Sequence, residues 1–109
     1  MVRTKKDELL EKLNGLNLTQ TKMDWAENIP DDIWEEYFKG NFKEVASNLN
    51  VDTRRWYEVS TTVIYIFNFY LGIRHITNIF SESSMIEDCY VKMEFMEMEE
   101  VQTTTYRKK

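Results

Sequence analysis

One histidine, one cysteine and nineteen carboxylates are the groups with which this 109-residue chain could do chemistry. Nucleophilic catalysis needs a nucleophile, a base within hydrogen-bond reach and a third group that orients the base. His75 stands between Arg74 and Ile76 in a run of strand-forming residues, with no motif beside it, and reads as a structural or surface histidine. Cys89 begins an alternating stretch and reads as a small buried hydrophobe rather than a reactive thiol. Because it is single, it excludes an internal disulfide and any cysteine metal cluster. Gly15, Gly40 and Gly72 are isolated, so there is no glycine-rich phosphate loop. A carboxylate metal site would have to use Asp31 with Asp32, or Glu94, Glu97, Glu99 and Glu100. Neither group follows the calcium-loop spacing of acids around a central glycine. These residues predict no enzyme, no metal and no cofactor.

What remains is the chemistry of charge. Of 14 basic residues, Arg3, Lys5, Lys6, Arg107, Lys108 and Lys109 sit at the ends, so residues 7–106 set 8 basic groups against all 19 acidic ones, a net of −11. Such a field repels nucleic acid and attracts basic protein surfaces. Two tracts concentrate it. From Met23 to Phe38, Asp24, Glu27, Asp31, Asp32, Glu35 and Glu36 occur without a basic residue, interleaved with Trp25, Trp34, Tyr37 and Phe38. Either the aromatics are core and the acids solvated, or some aromatics, Trp25 and Tyr37 among them, stay exposed as anchors inside a charged rim, the composition of a binding hot spot. The second tract is Glu94, Glu97, Glu99 and Glu100. If strand alternation persists past Phe95, Glu97 and Glu99 share a face with Val91, Met93 and Phe95, and burying them unpaired would cost several kcal/mol. A bulge near Met96, or a sheet that extends beyond its helices, would resolve the conflict. Carboxylates spaced along a rigid strand could imitate a row of phosphates.

The elements that must position these tracts follow from periodicity. Leu9, Leu10, Leu13 and Leu16, with Thr4 as N-cap and Gly15 as stop, predict a helix over about Lys5 to Asn14. A shorter helical segment from Leu18 through Met23 and Trp25 must end before Pro30. Asp31 and Asp32 suit a helix start, Ile33, Trp34, Tyr37 and Phe38 form its apolar stripe, and Gly40 closes it. Phe42, Val45, Ala46 and Leu49 predict one more short helix ending near Asn50. Thereafter Arg55 to Phe69 and Phe69 to Thr77 are strand-like, with a hairpin at Asn68. Ser81 to Asp88 reads as a loop, Cys89 to Phe95 as a third strand, and β character runs on through Val101 to Tyr106. The expectation is one α+β domain: a helical part, 1–52, packed on a three-stranded antiparallel β meander, 53–109.

Two other function classes can be weighed. Phe42 to Val59 imitates a DNA-binding helix-turn-helix, with Arg54 and Arg55 at the start of a recognition helix. Trp56, Tyr57, Val59, Thr61, Thr62 and Val63 have strand character, however, and the body charge opposes phosphate contacts. A homo-oligomer joined through the apolar stretch Val63 to Tyr70 is the third class. The mixed charges of Met1 to Leu16 exclude a secretory signal, Val63 to Ile73 is too short to span a bilayer, and one cysteine suits a reducing cytoplasm.

The C-terminal half resembles a set of small uncharacterised proteins of bacteriophages and mobile elements. The residues that carry the likeness are Arg54, Arg55, Trp56, Tyr57, Glu58, Val59, Ser60 and Thr61, then Leu71, Gly72, Ile73 and Arg74, then Glu97, Met98, Glu99, Glu100 and Val101 with Thr105 and Tyr106. In size and acidity the chain is also similar in kind to anti-CRISPR and anti-restriction inhibitors. Together with the acidic tracts, that likeness in kind leads to the expectation of a non-enzymatic host-cell inhibitor that binds the basic surface of a protein or ribonucleoprotein effector, without membrane or direct nucleic-acid contact.

Overall fold

The computed structural model describes residues 4–80, 86–101 and 105–109. Helix α1 (Lys5–Gly15) starts as its sequence dictates, the Thr4 hydroxyl accepting a hydrogen bond from the Asp7 amide at 3.2 Å. Leu9 and Leu13, one turn apart, are its fully buried residues. The segment that follows is not the helix expected from Leu18. Leu18 to Gln20 runs extended beside residues 91–93, with the Gln20 amide on the Val91 carbonyl at 2.9 Å and the Met93 amide on the Leu18 carbonyl at 2.8 Å. Only Trp25–Asn28 is helical, as one 3₁₀ turn capped by Asp24. Asn28 holds the approach to that turn, accepting from the Thr21 and Lys22 amides at 2.8 and 3.0 Å and donating to the Lys22 and Asp24 carbonyls.

After Pro30 comes α2 (Asp31–Ile33), which widens directly into a π-helical turn, Trp34–Phe38, closed by the Lys39 amide on the Trp34 carbonyl at 2.9 Å. Gly40 then takes a positive φ of 71°. The wide turn stacks Trp34 on Phe38, centroids 5.4 Å apart and planes 11° apart. Trp25 and Phe42 complete a four-ring cluster in which every pair of centroids lies within 6.3 Å.

Among the described residues five strands, not three, follow as an antiparallel meander in the order β1 (Phe42–Thr53), β2 (Tyr57–Ile66), β3 (Phe69–Ile79), β4 (Glu94–Val101) and β5 (Thr105–Lys108). The α+β class holds, but the β part begins at Phe42 rather than at residue 53. The helix expected over Phe42 to Asn50 is β1. Its apolar residues recur at helical spacing because three register shifts against β2, near positive-φ residues Asn48 and Asn50, reset the alternation each time. Such bulges also increase the local bend and help curl the sheet. With strands at Phe42–Thr53 and Tyr57–Ile66, the helix-turn-helix reading has no helices to stand on.

The hairpin between β2 and β3 turns on Phe67 and Asn68, both at positive φ as a two-residue type I′ turn requires. Phe67 tolerates this through its ring, which meets Tyr37 edge-on at 6.3 Å. The strand expected from Cys89 starts later, at Glu94; Ile86–Cys89 is a 3₁₀ turn. Register puts Ile64, Ile66, Phe69, Leu71, Ile73 and Phe95 on one face, where they form the core with α1 and the Trp25 to Phe38 segment. On the opposite face Val63 and Met98 are buried beside Gly72, and Tyr65, Tyr70 and Tyr106 form a row with centroids 5.2 and 5.0 Å apart. A Cβ at Gly72 would stand 2.7 Å from Met98 Cγ, so the Met98 side chain would have to shift to admit one.

Candidate interaction surface

The titratable groups of the interior come first, since any catalytic reading rests on them. His75 lies on β3 and is 6% exposed. Its Nδ1 is 3.1 Å from the Ile76 carbonyl oxygen, which can only accept, so that nitrogen carries the proton. Nε2 then accepts from the Thr62 hydroxyl at 2.9 Å. Burial lowers the His75 pKa from its ordinary value, against smaller upward effects of the Ile76 carbonyl and of Asp24. Ser60 and Thr77 bond to each other at 3.1 Å nearby. Ser60, Thr62 and His75 are all buried, and the hydrogen bonds of this cluster end on one another and on the backbone. Among the described residues no three His, Cys, Asp or Glu side chains converge as a metal ion would need. No described helix is long and apolar enough to cross a membrane.

In the helical tract the structure separates the aromatics from the acids. Trp25 is 8% exposed and Tyr37 1%, so neither can serve as a surface anchor. Trp25 packs in the four-ring cluster, and Tyr37 lies between Phe67 and the Lys5 ammonium, which sits 5.4 Å from its ring centroid. Asp24, Glu27, Asp31, Asp32, Glu35 and Glu36 are all exposed. Asp24 caps the 3₁₀ turn, and Glu35 pairs with Lys39 at 3.3 Å across one turn. The others stand in water around a rigid aromatic core.

The β4 tract behaves differently. The ladders to β3 and β5 run without a shift, so no bulge intervenes and the four glutamates divide between the faces. Glu94 and Glu100 share the face of Met96 and Met98, while Glu97 and Glu99 share that of Phe95, as alternation predicts. The conflict over Glu97 is resolved by pairing. Lys6 reaches one carboxylate oxygen at 3.5 Å, Lys109 reaches the other at 3.1 Å, and the Lys109 amide bonds the Glu97 carbonyl at 2.9 Å. Arg107 pairs with Glu99 across the β4–β5 ladder, and the Tyr106 hydroxyl faces Glu100 at 3.5 Å. A cleft of about 510 Å³ lies here, lined by Thr4, Lys5, Lys6, Phe67, Phe69, Glu97 and Lys109. Its walls set Lys5, Lys6 and Lys109 against Glu97, so the cleft is basic rather than acidic.

Lys6, Arg107 and Lys109, at the two ends of the sequence, are therefore counter-ions of the acidic strand. The sequence showed the two charge sets but not their proximity, which depends on α1 crossing the sheet beside β4. Sequence reasoning also passed over Trp56 and Phe80 as surface residues, because both look like ordinary strand aromatics. Compared with protein-family models, with curated proteins and with solved structures, the chain matches none. Its reading rests on the residues and geometry above.

Proposed function

We propose that this chain is a non-enzymatic, cytoplasmic inhibitor of phage type that binds a basic, nucleic-acid-handling surface of a host defence effector, such as a CRISPR nuclease. The observation that carries the reading is the division of acids by the fold. Glu97 and Glu99 are held by Lys6, Lys109 and Arg107, whereas the six acids of residues 24–36 are exposed and, among the described residues, Lys39 is the cation paired with them. The contact surface is thus the helical face carrying Asp24, Glu27, Asp31, Asp32, Glu35 and Glu36, with Glu94 and Glu100 as outlying charges. Its backbone is held by the aromatic cluster beneath, so binding loses little ordering entropy. The carboxylates occupy the groove that nucleic acid would fill, and the chain needs no contact with nucleic acid itself.

The test is binding to a panel of purified CRISPR effectors at two salt concentrations. Affinity should fall steeply as salt rises. A triple variant, Asp31→Lys, Asp32→Lys and Glu36→Lys, should lose it while keeping the thermal transition of the parent. Binding to none of the panel, or equal affinity of the variant, rejects the reading.

A further inference from the structure

The cleft of about 510 Å³ where the start of α1 meets the β2–β3 turn has the size of a small-molecule site. Of the side chains lining it, Lys5, Lys6 and Lys109 carry ammonium groups, and Glu97 is the one carboxylate among the described residues. The lining is thus +2 within a chain of net charge −5. Neighbouring acids line other cavities. Glu8, 3.8 Å from Lys5, lines a separate one with Glu36, and Glu99 and Glu100 line a smaller one beside Lys109. The undescribed residues that precede Thr4 and Thr105 contain Arg3 and no acid, and the connection that carries Glu82 leaves β3 at the end away from Phe69.

The backbone adds to this charge. The first amides of a helix have no partner within it and attract anions. Thr4 takes the Asp7 amide of α1, and the Lys5 and Lys6 amides precede it, in residues that line the cleft. The cleft also has an aromatic wall. Phe67 lines it half-buried, at a φ of 46°, a left-handed conformation that a bulky side chain adopts only under constraint. Asparagine or glycine would carry no such strain at this place in a two-residue turn. What the phenylalanine adds is a ring beside the ammonium groups, braced edge-on by Tyr37. Strained residues held in this way gather at ligand sites.

We infer that the cleft binds a nucleoside monophosphate, its phosphate held by Lys6, Lys109 and the first amides of α1, and its base against the Phe67 ring. Two net positive charges match a phosphate dianion, for which lysine serves as a point charge. Each ammonium has three protons, so Lys6 and Lys109 can hold the phosphate while bonded to Glu97 at 3.5 and 3.1 Å. A ligand that also carries a flat ring uses Phe67 as well. The site is independent of the acidic-face reading and uses none of the acids of residues 24–36.

Amide NMR titration of the isotope-labelled chain with adenosine monophosphate, inorganic phosphate and adenosine, at low salt and without any effector, tests this. The monophosphate should move the Lys5, Lys6 and Asn68 amides with a Kd of about 1 mM or tighter, and phosphate and adenosine should each bind about tenfold or more weakly. Lys6→Gln with Lys109→Gln should weaken the monophosphate about tenfold or more. Phe67→Asn, a residue suited to the turn, should bring the monophosphate down to the affinity of inorganic phosphate. Glu97→Gln should strengthen its binding, because the one carboxylate of the lining is gone; the thermal transition of each variant checks that it folds. Absence of these shifts at about 10 mM monophosphate overturns the inference. So do equal affinities of the parent chain for monophosphate and phosphate, or for monophosphate and adenosine, and a folded double-lysine variant that binds as the parent does.

Discussion

At the scale of the single residue, His75 carries the clearest solution signature. Its burial favours the neutral ring, so the unfolded chain takes up a proton first as pH falls through about 6.5. Stability is therefore full above that value and declines below it, by at most about 1.4 kcal/mol per pH unit, until the native ring also protonates. His75→Gln keeps a hydrogen-bonding side chain for Thr62 and should flatten the thermal-midpoint profile between about pH 6.5 and 5, above the range where carboxylates titrate. A profile unchanged by the substitution would refute this assignment. The presence of the histidine was plain in the sequence. Its state was not, because Thr62 lies thirteen residues away and reaches Nε2 only through the β2–β3 register.

At the scale of elements, what could be read from the chain depended on whether local rules were left undisturbed. Helix α1, with cap, stripe and stop all present, stands where its residues place it, and the hairpin at Asn68 falls at the expected position. β1 was illegible as a strand because bulges at Asn48 and Asn50 give Val45, Ala46 and Leu49 the spacing of a helix. The segment from Leu18 was misread for the converse reason, since its backbone partners at Val91 and Met93 are remote in sequence. Gly72 shows the same dependence on a distant neighbour. Its replacement by alanine would suit a strand in isolation, yet here the new methyl meets Met98, which is 3% exposed and cannot move outward freely. Gly72→Ala should cost about 1–3 kcal/mol by overpacking, and Gly72→Ala with Met98→Ala should recover part of the loss in chemical denaturation. A neutral single variant would show that the β4 side chains yield.

At the scale of the whole molecule the charge pattern has a physical organisation. The ends supply cations that hold Glu97 and Glu99, and the acidic field of the body is thereby shifted towards the helical face. Glu97→Lys should bring three ammonium groups together around one position on the core face. It should lower stability by about 1–3 kcal/mol, with partial recovery at high salt. Glu97→Gln, which only removes the attraction, should cost about 1 kcal/mol or less. If both variants melt with the parent, the three-way pairing does not form in solution. The existence of both acidic tracts was legible in the sequence, but the distinction between a tract that is spent internally and one that faces outward was not, since it is a property of β4 and α1 lying side by side.

Gln20 shows how much one side chain can decide. β4 pairs with β3 from Tyr70 to Arg74, and among the described residues no strand lies beside the next stretch of that edge. The buried Gln20 amide takes the strand's place, accepting from the Ile76 amide at 2.6 Å and donating to the Ile76 carbonyl at 3.2 Å. It is, in effect, a strand one residue long. Remove it, and an unpaired β edge opens next to Ile79 and Phe80, the kind of edge on which like chains stack into insoluble aggregates. Position 20 is therefore where the solubility of this protein would first be lost, even though nothing at that position is exposed to solvent.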